Sequence, residues 1–276
     1  MTISEILIIN HTHTDIGYTD HPENLFRHHN KVIDNALNLV EQYDSHPDES
    51  KFRWTCETSM ITADWFRQAS SADQDRFRDY FARGLVDVGA MPLNWTPLIS
   101  PANAIHSLKH VHFLRSEGIN PTVALQCDIN GLAWHWTDLL LNIGVDSFVT
   151  QSNPHRGAPF IENQRIFNWR TPSGADLFTL HGWHYSVGVV SLFFGDNDPD
   201  HTQARLDVLL GKLEARKQYP YSKALLAVTN QASVDNGYAT KRMPEFVENW
   251  NAANRFPKLR LVTLAQAVTA IKEDVA

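Results

Sequence analysis

Residues 6–18 read ILIINHTHTDIGY, an apolar run that ends in His11, His13 and Asp15. Side chains on an extended chain alternate in direction, so these three point the same way while extension persists. Imidazole and carboxylate on one face make half of a metal site. Zinc accepts both donor types, and a catalytic zinc takes about three protein ligands with one position left open. A further ligand must come from elsewhere. Asp128 qualifies, because a second apolar run, TVALQC, leads straight into it, with Asn130 and Gly131 behind. Polar groups gathered at the carboxyl ends of separate strands are the usual site of an α/β enzyme.

Those strands can be read along the chain. Strand-like runs occur at 6–9, 52–56, 86–90, 122–127, 147–150, 177–180, 224–228 and 259–264. Apolar residues return at helical spacing over 23–43, 60–69, 73–83, 102–117, 201–218, 243–254 and 265–273. Strand and helix in alternation predict a parallel sheet. Residues 163–180 break the rhythm: IFNWR and ADLFTL flank a Thr-Pro-Ser-Gly turn, the pattern of a hairpin. The residues just after the strands are His11, His13 and Asp15, then Glu57, Asn94 and Trp95, Asp128, Gln151, His181 and the stretch 230–235. Their bias toward His, Asp, Asn and Trp, rather than Lys and Glu, is that of a pocket.

Composition narrows the class. A chain of 276 residues has the length of one strand–helix barrel, and 43% apolar with 20% charged residues excludes disorder as the main theme. The formal charge of −7 disfavours nucleic acid and anionic membrane as partners, which leaves a neutral substrate. The start MTISEILIIN has neither a basic leader nor a cleavage pattern, and no run reaches membrane-spanning length, so a cytoplasmic location is expected. Cys56 and Cys127 close strand-like runs and read as buried thiols rather than a disulfide.

Several patterns have plainer readings beside the functional ones. His106 and His110 are spaced for one helix face and are expected on a solvated one. Asp196, Asp198 and Asp200 lack the glycine and distal glutamate of a calcium loop and are expected to cap the following helix. Asp-Asn-Gly at 235–237 is a turn signature as much as a catalytic one. Trp95, Trp134, Trp136, Trp183, His184 and Tyr185 suit either a sugar subsite or packing under loops.

Taken in order, the segments HTHTDIGY, FRWTCETSMITADWF, GLVDVGAMPLNWTPLISPAN, QCDINGLAWHWTDLLLNIGVDSFVTQ and IFNWRTPSGADLFTLHGW resemble glycoside hydrolase family 38, the zinc-dependent α-mannosidases, over nearly the whole chain. The resemblance implies an incomplete (β/α)7-type barrel with parallel strands, similar to the polysaccharide deacetylase barrel. It also implies a zinc ion held by His13, Asp15 and Asp128, with Asp128 as nucleophile and Asp235 as general acid. Tyr18 stands where the family has Trp, and Ser152 where it has Arg. Tyr18, Trp95, His181, His184 and Tyr185 are the expected sugar-binding residues. The family's remaining zinc ligand is a His from a helical domain beyond the barrel. Residues 1–276 are therefore expected to be the catalytic barrel alone, without the helical and β-sandwich domains, and to partner with itself or with a separate C-terminal portion.

A retaining glycosidase needs an ionised nucleophile and a second carboxyl that protonates the leaving oxygen and then deprotonates water. A metal beside Asp128 would keep it ionised, whereas Asp235 must hold a proton near neutral pH. The expected activity is hydrolysis of α-mannosides or related α-glycosides. A metal-dependent deacetylase acting on an N-acetyl sugar is the first alternative, and a non-catalytic barrel that binds sugar or a partner chain is the second.

Overall fold

The computed structural model describes residues 3–96, 98–155, 157, 164–196, 198–217, 219–229 and 235–275, with 227–229 by backbone alone. Its strands are β1 (Glu5–His11), β2 (Trp54–Cys56), β3 (Val86–Val88), β4 (Val123–Cys127), β5 (Ser147–Gln151), β6 (Arg165–Arg170), β7 (Asp176–His181), β8 (Lys223–Thr229) and β9 (Lys258–Val262). Between them run α1 (Pro22–Gln42), α2 (Ser59–Gln68), α3 (Ser71–Ala82), α4 (Pro101–Ser107), α5 (Lys109–Ser116), α6 (His135–Asn142), α7 (Pro199–Ala215) and α8 (Arg242–Ala252), and α9 (Leu264–Val275) follows the last strand. No helix among the described residues is long and apolar enough to cross a membrane.

β1 lies between β8 and β9, parallel to both. β2 pairs with β3, and a third sheet runs β4-β5-β7-β6, parallel except for the β6–β7 hairpin that residues 163–180 predicted. This is a mixed α/β fold with parallel sheets. Hydrogen bonding among the described residues defines these three sheets and goes no further toward the seven-strand barrel expected from the sequence.

β1 is buried on both faces, which is why ILII is continuously apolar instead of alternating. Ile6 and Ile8 pack outward against Leu206 and Leu210 of α7 and Trp250 of α8. Leu7 and Ile9 pack inward with Val123, Leu125, Val149 and Leu180. Into that inward cluster α9 inserts Leu264, Ala267, Val268 and Ile271. Each fully buried Leu or Ile stabilises by about 1.5–3 kcal/mol, so α9 fills the space between sheets as a core element in its own right. Its first amides donate to inward side chains, Leu264 N to Thr55 Oγ1 at 3.2 Å and Ala265 N to Asp87 Oδ2 at 2.7 Å. Its far end is tied to the start of β8, where Asp274 accepts from Ser222 N at 2.7 Å and Lys223 N at 2.9 Å.

Some expectations are corrected. The single helix at 102–117 divides into α4 and α5 at Leu108, where Ser107 Oγ donates to Ala104 O at 2.7 Å and competes with the main-chain ladder. α6 gave no clear period because it is only eight residues long. His106 is exposed as expected, but His110 is buried, since α5 packs onto α2. Asp198 does cap α7, accepting from His201 N at 3.0 Å.

The strand read at 86–90 stops at Val88 because Gly89 passes directly over β2, its N–H donating to Cys56 O at 2.8 Å. A Cβ at Gly89 would lie 2.4 Å from the backbone oxygen of Glu57. Gly89→Ala is therefore expected to destabilise the fold by about 1–3 kcal/mol in urea unfolding, the usual cost of overpacking. A loss below about 0.5 kcal/mol would mean that β2 and β3 can part without strain.

Candidate active site

The inward parity of Leu7 and Ile9 continues through His11 to His13. At His13 the extended backbone forms an isolated parallel bridge with Asp235, and Asn236 N donates to His13 O at 2.9 Å. The loop after β8 is thereby laid onto the loop after β1. As a result His13, Asp15 and Asp235 each place a ligand atom within 4.8 Å of the others. His13 Nε2 lies 3.4 Å from Asp15 Oδ1. Asp128 stands outside this trio.

The other ring nitrogen of His13 is held by Glu57, the residue just after β2, with Nδ1 to Oε1 at 3.1 Å. Glu57 also accepts from Thr14 N at 2.6 Å and from Asn94 Nδ2 at 3.0 Å, and His11 Nδ1 lies 3.6 Å away. Burial pushes the Glu57 carboxyl upward, but His13 and His11 outweigh it and hold it at about 2. Burial likewise opposes charge on His13, yet Glu57 and Asp15 raise that imidazole to about 10. His11 has no such hydrogen bonds and burial carries it down to about 4. A site that draws a proton onto His13 this strongly is one in which positive charge is stabilised. One imidazole nitrogen, carboxylates beside it and a carboxylate behind the ring are the donor set and support that zinc sites use, so these residues fit such an ion.

Asp128 follows β4 with φ 63, a left-handed conformation uncommon outside glycine and often found at functional positions. Its carboxylate lies 3.0 Å from His184 Nε2 and accepts from Asn153 Nδ2 at 2.9 Å. Burial would raise the Asp128 pKa, but these contacts and the charge of His13 leave it lowered. Tyr185 joins the two halves: its ring stacks on His13 at 4.6 Å and its hydroxyl donates to Asp235 Oδ1 at 2.9 Å. Burial, then the charges of Asp128 and Asp235, push the Tyr185 hydroxyl far above its ordinary pKa, so it stays protonated as a donor.

The remaining sugar-binding candidates are scattered. Tyr18 is 82% exposed on the loop beyond Asp15. His181 is buried and lies 3.0 Å from Ser152 Oγ. Trp95 packs into the outer cluster around Trp136, and Trp183 into that around Trp250. Residues 230–234, the first part of the polar stretch after β8, lie outside the described residues.

Four residues with direct hold on the site had no assigned role: Glu57, Asn94, Asn153 and Asn236. Asn94 joins three strand ends, since its Oδ1 also accepts from Cys127 N at 3.0 Å. Asn236, at φ 52, accepts from Asp15 N at 3.0 Å, bonds His29 at 2.8 Å and donates to Thr19 Oγ1 at 2.8 Å. The turn read at 235–237 is thus the brace of the metal-type loop. The sequence places Glu57 and Asn94 after strands and Asn236 in a turn, and carries no sign of their partners.

Carboxylates and histidine converging at strand ends are the usual site of an α/β enzyme, and comparison narrows the class. The family model described as "Glycosyl hydrolases family 38 N-terminal domain" matches residues 4–276, and the chain belongs to that family. Among solved structures, an alpha-mannosidase from Enterococcus faecalis V583 aligns with TM-score 0.69 and 14% identity, covering 98% of this chain and 29% of that one. A second family 38 protein from Enterococcus faecalis gives TM-score 0.66 and 12% identity over 99% of this chain and 28% of that one. The 4-alpha-glucanotransferase of Thermococcus litoralis gives TM-score 0.58 and 12% identity over 96% and 38%. At these identities the likeness is one of fold. The chain spans less than a third of the length of the two Enterococcus proteins. No curated protein matches it.

Two outcomes are expected from this geometry. Glu57→Gln keeps the shape of the side chain and removes the charge behind His13, so zinc affinity measured by calorimetry should fall about 10- to 100-fold. Unchanged affinity would show that His13 is oriented without it. The second concerns stability in the presence of a chelator. His13, raised from 6.5 to about 10, contributes stability that is complete below 6.5 and lost as pH climbs toward 10. His11 and His29, both lowered from 6.5 to about 4, chiefly by burial, contribute stability complete above 6.5 and lost as pH falls toward 4. Glu57 acts lower still, between 4.5 and about 2, and Asp87, raised by burial from 3.8 to about 6, opposes the two histidines only in that acid range. The melting temperature should therefore peak near pH 6.5. A profile flat from about pH 5 to 9 would deny these couplings.

Proposed function

We propose that this chain carries the site of a metal-dependent retaining glycoside hydrolase acting on α-mannosides or related α-glycosides. The observation that carries the reading is the convergence of Asp128 and Asp235, from different strand ends, on the His13–Tyr185 stack. Family membership supports hydrolysis of a glycosidic bond, and the likeness to an alpha-mannosidase supports the sugar. The inward cluster draws on β1, β4, β5, β7, β8 and β9 together, which supports reading the three sheets as arcs of one incomplete barrel over 1–276.

Asp128 is the proposed nucleophile. Hydrogen-bonded and held ionised, it attacks the anomeric carbon; its carboxylate oxygen bonds to that carbon as the glycosidic bond breaks. Asp235 gives its proton to the leaving oxygen, then takes one from a water molecule whose oxygen displaces Asp128. Tyr185 donates a hydrogen bond to Asp235 and shields one side of His13. A zinc ion held by His13 and Asp15, with Asp128 as the further ligand, would polarise and orient the sugar hydroxyls as positive charge develops. Asp235 is the alternative third ligand. A carboxylate on a metal is ionised, so the ligand and proton-donor roles exclude each other. Zinc titration of Asp128→Asn against Asp235→Asn assigns them.

The test is turnover of an aryl α-mannoside. Asp128→Ala should abolish it with little change in melting temperature. Asp235→Ala should lose about 10²- to 10⁴-fold on substrates with poor leaving groups and far less on activated aryl ones, because only the former need a proton. Retained turnover in Asp128→Ala refutes the nucleophile; release of acetate from N-acetyl sugars without aryl release moves the assignment to a deacetylase.

A further inference from the structure

We propose that His184 and Asn153 form a clamp that sets the plane of the Asp128 carboxylate, each donating one N–H to a different oxygen. His184 Nε2 lies 3.0 Å from Oδ1 and Asn153 Nδ2 lies 2.9 Å from Oδ2. Both donors have their direction imposed by backbone amides. Ser186 N donates to His184 Nδ1 at 3.3 Å, and the Ser186 hydroxyl reaches the same atom at 2.7 Å. A nitrogen that accepts an amide hydrogen carries none of its own, so the ring proton sits on Nε2 and faces Asp128. Asn153 is oriented in the same way: His155 N donates to its Oδ1 at 2.7 Å, which turns the NH₂ group toward Asp128.

The supports of the clamp are themselves braced. Asn153 N donates to Asn130 Oδ1 at 2.6 Å and Asn130 Nδ2 returns a bond to Asn153 O at 3.1 Å, closing a reciprocal pair across the loops that follow β4 and β5. On the other side His184 packs against Tyr185 at 4.0 Å between ring centres. Rotation of the Asp128 carboxylate breaks one bond or the other, while the second lone pair of each oxygen stays available. His184 thus acts through Asp128 as a positioning residue, in place of the sugar-binding role expected of it.

The proposal rests on Asp128 being the nucleophile, and two measurements separate its failure from failure of that reading. In protein labelled with ¹⁵N-histidine at about pH 8, above the ordinary imidazole pKa, the His184 signal, assigned by its loss in His184→Gln, should show a protonated Nε2 and a bare Nδ1. A proton on Nδ1, or on both nitrogens, overturns the clamp whether or not the chain turns over substrate. With an aryl α-mannoside, His184→Ala and Asn153→Ala should each lower kcat about 10- to 100-fold while KM stays within about twofold. His184→Gln, whose amide can set an N–H near the place of Nε2, should recover much of the loss, and melting temperatures should stay near that of the parent. Turnover in the parent with kcat unchanged in both alanine variants, or a change in KM alone, overturns the clamp. Absence of turnover in the parent counts against the hydrolase reading and leaves the imidazole measurement to decide the clamp.

Discussion

A carboxylate taken wholly out of water must be matched at nearly every lone pair, and Glu57 obeys that constraint with four partners from two parts of the chain. His11 is the last residue of β1, His13 and Thr14 lie in the loop just past it, and Asn94 is in the loop beyond β3. Asn94 passes the connection on to β4 through the amide of Cys127. Removing one partner from a buried ion pair commonly costs about 3–5 kcal/mol, because the remaining charge is left uncompensated. The strand ends are therefore held in register by electrostatics where β2 and β3, only three residues each, offer few ladder hydrogen bonds. Gly89 belongs to the same constraint, since only a residue without Cβ lets β3 run close enough for Glu57 to stay in place.

Much of this was legible in the sequence wherever the signal was local. The inward parity of β1, from Leu7 to His13, is a direct consequence of strand period, and it placed His13 and Asp15 together before any tertiary contact was known. The β6–β7 hairpin was equally local. What stayed hidden depends on partners far apart in the chain. Glu57 follows a strand like several other polar residues, and nothing near it reveals that His13, 44 positions earlier, needs it. Asn236 reads as a turn residue and is one, yet its side chain braces Asp15 from 221 positions away. His110 misled for the opposite reason: its spacing describes its own element, whereas its burial is decided by α2 packing on the outside.

The site divides its labour between two kinds of support. Around His13 the protein gathers carboxyl groups, with Glu57 behind the ring and Asp15 and Asp235 in front, the donor types that a metal-type site uses. Around Asp128 the described residues place two hydrogen-bonding groups, an imidazole and an amide. Tyr185 stands at the boundary, its ring against His13 on one side and His184 on the other, and its hydroxyl on Asp235. Low dielectric strengthens both kinds of support, because little water is present to weaken a charge or compete for a hydrogen bond.

The depth of the site follows from α9. That helix occupies the inward space beside Leu7, Ile9, Val123 and Leu125, and its first turn meets Thr55 and Asp87. Beyond that level the same inward faces carry His11 and His13 on β1, Glu57 after β2, and Gln151 at the end of β5, which accepts from the Cys127 thiol at 3.2 Å. Polar side chains there would be costly if an apolar helix continued upward, and apolar ones would leave nothing to pair with Glu57. The change from apolar to polar along each strand therefore coincides with the start of α9. The last strand-to-helix turn sets the floor on which the metal-type cluster and the Asp128 carboxylate stand.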